Sequence, residues 1–377
     1  MRIIEINIFQ CNTPFKFSFH SPHLHRIQAD SIVVKMRFNN SIIGYGESAP
    51  RPYVTGETNS SVVNTIQNNF SKILFHQEIN SLDDVAGILN LLEKECRDKK
   101  NVTFNSALGA IDIALLDALG KFQGVPLHNY LGPFTGNKIS CSLSLPFFQN
   151  IMILEKLYPK IQPLELDAIK IIMGNVEDDN IERVKFIRSL IGDHTEIRVE
   201  ANGKWSLKQA ISTLGKLKIF DIAGVEQPLE GRDIEGLREI KRITGIPVIV
   251  DEGMCTLRDA EHLIEMEACD IINIKISKCG GLLKSKQIRD FAQSRNVSCQ
   301  VGAHVGETDI LGRSGQYFAM TAKDLFCFEG FSHLLFENSW KNHIKNETGE
   351  TELFSNFGLG VELTNQKLTL VCSLESK

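Results

Sequence analysis

Glu200, Glu226, Asp251 and Lys275 recur at intervals of 26, 25 and 24 residues, and each closes a short apolar run. Such runs read as strands, and strand ends repeated at that period in a strand–helix alternation meet on one rim of a β/α barrel. Three carboxylates converging there repel one another unless a cation sits between them. An all-oxygen ligand set favours magnesium, with manganese as the alternative, over zinc. A lone acid at a strand end is ordinarily a solvated loop residue; three in consecutive units on the catalytic rim of a barrel point to a metal centre. Lys275 follows Ile271-Ile272-Asn273-Ile274, and period-two alternation sets Asn273 and Lys275 on one face of that strand. An ammonium pointing into a barrel is costly unless paired or functional. Beside a metal and partly desolvated, it loses proton affinity and can act as a general base.

The elements that must position these residues form two series. Up to about residue 130 the pattern is α+β. Strands are expected at Met1–Gln10, Ser31–Arg37 and Ser41–Gly46, and helices at about 58–74, 81–98 and 104–122. From about 138, eight strands alternate with helices: 139–145, 167–173, 196–201, 222–227, 247–251, 270–276, 297–302 and 325–328. The expected architecture is an α+β capping domain over 1–130 and a modified TIM-type (β/α) barrel over 131–349. A C-terminal segment, 350–377, is expected to return toward the cap.

Composition narrows the function. At 377 residues the chain suits a barrel of about 250 residues plus a smaller domain. A net charge of −5 without a basic stripe argues against a nucleic-acid partner. No run approaches the roughly 18 apolar residues of a membrane span, so no membrane partner is expected. Glu5 and Asn7 interrupt the apolar residues of the first strand, unlike a signal peptide. The nine cysteines form no CxxC pair, and scattered reduced thiols in a cytoplasmic protein are expected.

In its motifs the chain resembles the enolase superfamily, in particular the muconate-lactonizing subgroup that includes muconate cycloisomerase, o-succinylbenzoate synthase and dipeptide epimerase. The matching pieces are Gly44–Ser48 (GYGES), Ala114–Lys121 (ALLDALGK) with Gly124-Val125-Pro126, and Val199–Trp205 (VEANGKW, usually DANGAW). Val225–Leu229 (VEQPL), Val250–Glu252 (VDE) and Ile272–Gly281 (INIKISKCGG) follow in order. The resemblance implies magnesium at Glu200, Glu226 and Asp251, binding the carboxylate of a substrate whose α-proton is removed through an enediolate. It also implies a substrate-covering loop over Pro50–Thr58, with Arg51 and Tyr53 reaching a ligand.

Two departures bear on the reaction. The subgroup's second barrel strand usually ends Lys-x-Lys, whereas here Lys170 matches the first lysine and Ile172 the second, which in most relatives transfers a proton. Lys170 shares that face but lies about 7 Å further down the strand. Glu200 stands where relatives have Asp, extending the carboxylate by about 1.5 Å. With Ile172 on one side, the residues predict hydrogen exchange on one face with retention of configuration.

Around this centre, Asn202 is expected to support the metal shell, and Glu252 to pair with Lys275 or Lys278 rather than with metal. His304 and Glu307, after the seventh barrel strand, are candidate substrate contacts. His20, His23 and His25 sit in an expected loop without carboxylate partners and are not read as a metal site. The expected function is a magnesium-dependent isomerase, of epimerase or cycloisomerase type, acting on a small carboxylate, with Lys275 and then Lys170 as base. One-base elimination and a metal-binding, non-catalytic relative are the alternatives. A homo-oligomer is expected.

Overall fold

The computed structural model describes residues 1–21, 24–97, 104–135, 139–145, 147, 155, 158–159, 162, 166–231, 233–330, 335–336, 356–361, 363 and 367–376. The first unit is a sheet of order β14-β1-β4-β5. Here β1 is Ile3–Cys11, β4 Ile32–Phe38, β5 Ile43–Ser48 and β14 Leu368–Glu375. β14 runs antiparallel along β1, from Glu5 opposite Glu375 to Cys11 opposite Leu368, so the end of the chain completes the sheet begun by its start.

Between β1 and β4 lies a hairpin in place of the expected loop: β2 (Pro14–Ser21) pairs with β3 (Leu24–Gln28). His20 and His25 are partners in its register, which corrects their placement in a loop; His23 lies outside the described residues. Among the described residues no group of three potential ligands forms around them.

The helix Asn105–Gln123 is buried on nearly every side from Ser106 to Gly120, because it is held between this sheet and the barrel. The two glycines of the GYGES strand permit that contact. A Cβ on Gly46 would lie 1.8 Å from the carbonyl oxygen of Ala110, and one on Gly44 2.1 Å from that of Ala114. Gly46→Ala should therefore cost about 3 kcal/mol or more of stability, the upper range of overpacking, since the obstruction is backbone rather than a flexible side chain. An unchanged urea midpoint for that variant would contradict this close approach.

The barrel holds the eight expected strands in sequential order: β6 (Ser142–Leu145), β7 (Ala168–Ile172), β8 (Glu196–Glu200), β9 (Ile222–Glu226), β10 (Val248–Val250), β11 (Ile271–Ile274), β12 (Ser298–Val301) and β13 (Leu325–Phe328). All neighbours are parallel, and a bridge from Cys141 to Phe328 brings the last strand against the first. Amphipathic helices between them are set by local capping chemistry. Thr256 and Asp259 form a reciprocal capping box at Leu257–Glu265, and Asp233 caps Ile234–Thr244.

Buried cap carboxylates lock the two units together. Glu47, fully buried on β5, accepts from Thr308 N at 3.0 Å and Leu311 N at 3.0 Å, at the start of the barrel helix Asp309–Met320. Asp112 accepts from Leu282 N at 2.5 Å, at the start of Leu282–Ser294. Helix N-termini offer unpaired N–H groups and a positive dipole end, which compensates these buried charges. The result fixes the cap over the barrel's catalytic rim.

Candidate active site

Register places the chemistry in one layer. Ile172 pairs with Glu200 and Glu200 with Glu226, so three adjacent strands end on the same rung. Asp251 and Lys275 directly follow β10 and β11. The turn after β9 is built around Gln227, whose φ of 38° aims its side chain across the strand ends. Its Oε1 accepts from Asp251 N at 3.0 Å and Gly253 N at 3.1 Å, and its Nε2 donates to Leu229 O at 2.9 Å. One amide thus sets the path of the chain that carries Asp251 and Glu252.

A cavity of about 430 Å³ opens at this rim. Lys170, Ile172, Glu200, Asn202, Glu252, Lys275 and His304 line it from the barrel, and Phe19, Tyr53 and Val54 from the cap. Glu226 and Asp251 lie behind this wall, as do Arg51 and Glu307.

Glu200, Asp251 and Glu252 each offer a carboxylate oxygen within 4.8 Å of the others. Burial, together with the charge of Glu226, pushes the Glu200 carboxyl up to about 8, against the pull of Lys170. Burial and the neighbouring Asp251 charge push Glu252 up to about 7. Glu252 Oε2 is buried without a hydrogen-bond partner, and Asn202 Nδ2 donates to Glu200 Oε1 at 2.6 Å. Concentrated, undercompensated negative charge with an orphaned oxygen fits a hard divalent cation. Glu252 was expected to pair with a lysine; instead both lysines take Asp251. Lys275 Nζ is 2.5 Å from Asp251 Oδ2, and Lys278 Nζ donates to Asp251 Oδ1 at 2.8 Å and to Asp251 O at 2.7 Å. Burial alone would raise the Asp251 pKa, but these two ammonium groups hold it far below the carboxylate range. Asp251 in turn holds the Lys275 ammonium well above the ordinary lysine value although burial opposes its charge, which corrects the lowered proton affinity expected of this lysine.

Glu226 is clamped. Lys170 Nζ reaches both its oxygens at 3.1 Å, Asn273 Nδ2 donates to Oε1 at 2.9 Å, and Gln300 Nε2 donates to Oε2 at 2.9 Å. Lys170 also meets Glu200 at 3.1 Å and Glu329 at 2.9 Å. Burial opposes its charge, but three carboxylates outweigh that and keep its pKa well above the ordinary lysine value. Lys170 therefore sits here as the counter-ion of the acidic cluster.

His304 is 4% exposed and neither ring nitrogen has a hydrogen-bond partner. Burial, then the charges of Lys275 and Arg51, drive its pKa well below the usual value, leaving a neutral imidazole with a free donor and acceptor at the cavity wall. Arg51 works from behind. Its guanidinium donates to Val305 O at 2.6 Å and Pro50 O at 2.7 Å and pairs with Asp30 at 3.2 Å, tying the cap to the turn that carries His304. Glu307 accepts from His304 N at 2.7 Å and shapes the same turn. Tyr53, 62% exposed, stands at the mouth.

Two buried residues escaped the sequence reading. Glu329 follows β13 and lines the cavity, and Arg198 lies inside the barrel, bonded to Gln300, Ser142 and, at 3.4 Å, Glu329. Each had a signal. Glu329 closes the eighth strand as Glu200 closes the third, and Arg198 stands two residues before Glu200, on the same strand face.

Family models match both parts of the chain: the mandelate racemase/muconate lactonizing enzyme N-terminal domain over residues 3–132, and an enolase C-terminal domain-like region over 162–367. The chain belongs to this family. A hydrophobic dipeptide epimerase from Enterococcus faecalis is 31% identical over 79% of this chain and 81% of its own. An N-succinyl-L-Arg/Lys racemase from Bacillus cereus is 26% identical over 98% of both chains. The crystal structure of the B. cereus racemase superposes with a TM-score of 0.89 at 25% identity, covering 98% of this chain and 100% of that one. The E. faecalis dipeptide epimerase, solved with Mg and the dipeptide L-Leu-L-Tyr, gives 0.85 at 26% identity, covering 96% and 99%. These family members are isomerases, and the chain stands within that enzyme class.

Proposed function

We propose that the chain isomerises the α-carbon of an N-blocked amino acid, a dipeptide or an N-succinyl amino acid, by removing and returning the α-proton. The observation that carries this is a lysine, Lys275, lining a closed-in cavity beside a buried cluster of Glu200, Asp251 and Glu252. Glu200, Glu226 and Asp251, with Glu252 beside them, would hold magnesium, which when bound neutralises these acids and the negative charge that develops on the substrate carboxylate. Asn202 fixes the Glu200 carboxylate, and Lys278 fixes Asp251 from behind. Asn273 and Gln300 fix Glu226. Lys275 takes the α-proton. His304 donates to or accepts from the substrate backbone, and Phe19, Tyr53 and Val54 line the cavity from the cap side.

The relatives named above supply the probes. Incubation with magnesium and N-succinyl-L-arginine or L-Leu-L-Tyr in deuterated water is expected to add one mass unit at the α-carbon, and chelation should stop it. A protein that exchanges neither probe would leave the non-catalytic alternative standing.

A further inference from the structure

Epimerisation needs proton-carrying groups on both faces of the α-carbon, and Ile172 makes the β7 side of the cavity apolar. Among the described residues three lysines line this cavity: Lys170, Lys204 and Lys275. Lys170 is consumed by Glu200, Glu226 and Glu329. Lys204 stands where the family motif usually has Ala, in Val199–Trp205. Its ammonium is exposed at the mouth, and among the described residues it has no ion-pair partner.

The turn holding Lys204 follows β8 and is tied to the segments after both neighbouring strands, β7 and β9. Trp205, 3% exposed, donates its indole N–H to Gly174 O at 3.1 Å, two residues beyond Ile172. Gly203, at φ 69°, donates to Gln227 O at 2.7 Å, and Lys204 N donates to Ala201 O at 3.1 Å. The backbone of residue 204 is thereby anchored on both sides while its side chain is exposed. The turn follows β8, which neighbours β7 and lies three strands from β11 in a barrel of eight, so Lys204 and Lys275 line the same cavity from different sides of the mouth. We infer that Lys204 is the proton donor on the face vacated at Ile172, a lysine moved from the second barrel strand to the turn after the third. This rests on the function proposed above.

The step balances without a further reactant. Lys275, as the amine, takes the α-proton, and the C–H electron pair stays on the substrate as an enediolate. The Lys204 ammonium gives a proton to the same carbon from the opposite face, a C–H bond forms with inverted configuration, and the N–H pair remains on nitrogen. The enzyme is left with Lys275 protonated and Lys204 neutral, and exchange with water at the open mouth restores both. A flexible four-carbon stem suits a donor that must reach inward from the rim.

The test uses the magnesium-loaded protein with N-succinyl-L-arginine and L-Leu-L-Tyr in deuterated water, reading mass gain and chirality separately. The parent is expected to exchange and invert. Lys204→Ala should lose inversion by about 10²-fold or more while still exchanging with retention through Lys275. Lys204→Arg, which keeps the charge but does not release its proton, should behave like the alanine variant. Adding Ile172→Lys to Lys204→Ala should restore inversion. An alanine variant that inverts at the parental rate, or one changed only in KM, overturns the assignment and leaves the proposed function intact. So does a parent that exchanges only with retention. A parent inert toward both probes overturns assignment and function together.

Discussion

Lys275→Ala is expected to lose about 10²–10⁴-fold in α-proton exchange, the usual contribution of a general base, while keeping its fold and its magnesium affinity. Each part of that expectation has a separate basis. Catalytically, Lys275 is the lysine that both lines the cavity and touches the acidic cluster without being enclosed by several acids; among the described residues its one ion-pair partner is Asp251. Structurally, its removal does not strand Asp251. Lys278 remains at 2.8 Å from Oδ1, fully buried and also bonded to Asn273 O at 2.9 Å. The fold therefore keeps one buried ion pair, whereas breaking such a pair completely costs several kcal/mol. Magnesium affinity should hold or rise, because a competing cation has been taken from Asp251. Circular dichroism and calorimetry on the variant separate these effects from the loss of exchange. If exchange stays within a few-fold of the parent, the base is another group, and His304 and Lys170 are the next to replace.

The layout of the rim was legible because barrel chemistry is periodic. Glu200 and Glu226 end their strands on one rung, Asp251 and Lys275 directly follow theirs, and evenly spaced strand ends share one rim. What the sequence hides is which of several neighbouring charges pair. Glu252 follows Asp251 directly, so pattern alone cannot tell which carboxylate the lysines choose; the structure gives both to Asp251 and leaves Glu252 with an orphaned oxygen. Lys170 reads as a spare catalytic lysine, yet its neutralising acids come from positions 200, 226 and 329, the last of them on the far side of the barrel sequence. Arg51 is a similar case. A substrate-covering loop suggests a ligand contact, but its guanidinium turns away to Val305 O and Asp30. The β2–β3 hairpin has its strand signal in the alternation of Phe15, Phe17 and Phe19, which the polar residues and histidines that follow do not continue. Phe19 proves to be one of the cap residues that reach the cavity.

Asp251→Asn is expected to weaken magnesium binding by more than about 10²-fold, the largest effect of any single change at the centre. Asp251 belongs to both groupings: the strand-end set with Glu200 and Glu226, and the spatial set with Glu200 and Glu252. Among the described residues it is also the carboxylate that pairs with both Lys275 and Lys278, at 2.5 and 2.8 Å. Neutralising it removes a ligand and at the same time leaves two unbalanced ammonium groups beside the cation. The amide keeps the side chain's size and the bonds from Gln227 to its backbone, so misfolding is a lesser concern than with alanine. The same calorimetry ranks the third ligand. Glu226 is held by Lys170, Asn273 and Gln300, which orients it but occupies both oxygens, whereas Glu252 Oε2 is free. A carboxylate oxygen has lone pairs enough to keep such donors and still meet a metal. Glu226→Gln should therefore cost more affinity than Glu252→Gln. The reverse order would move the third ligand to Glu252, and undiminished binding in Asp251→Asn would place the cation elsewhere altogether.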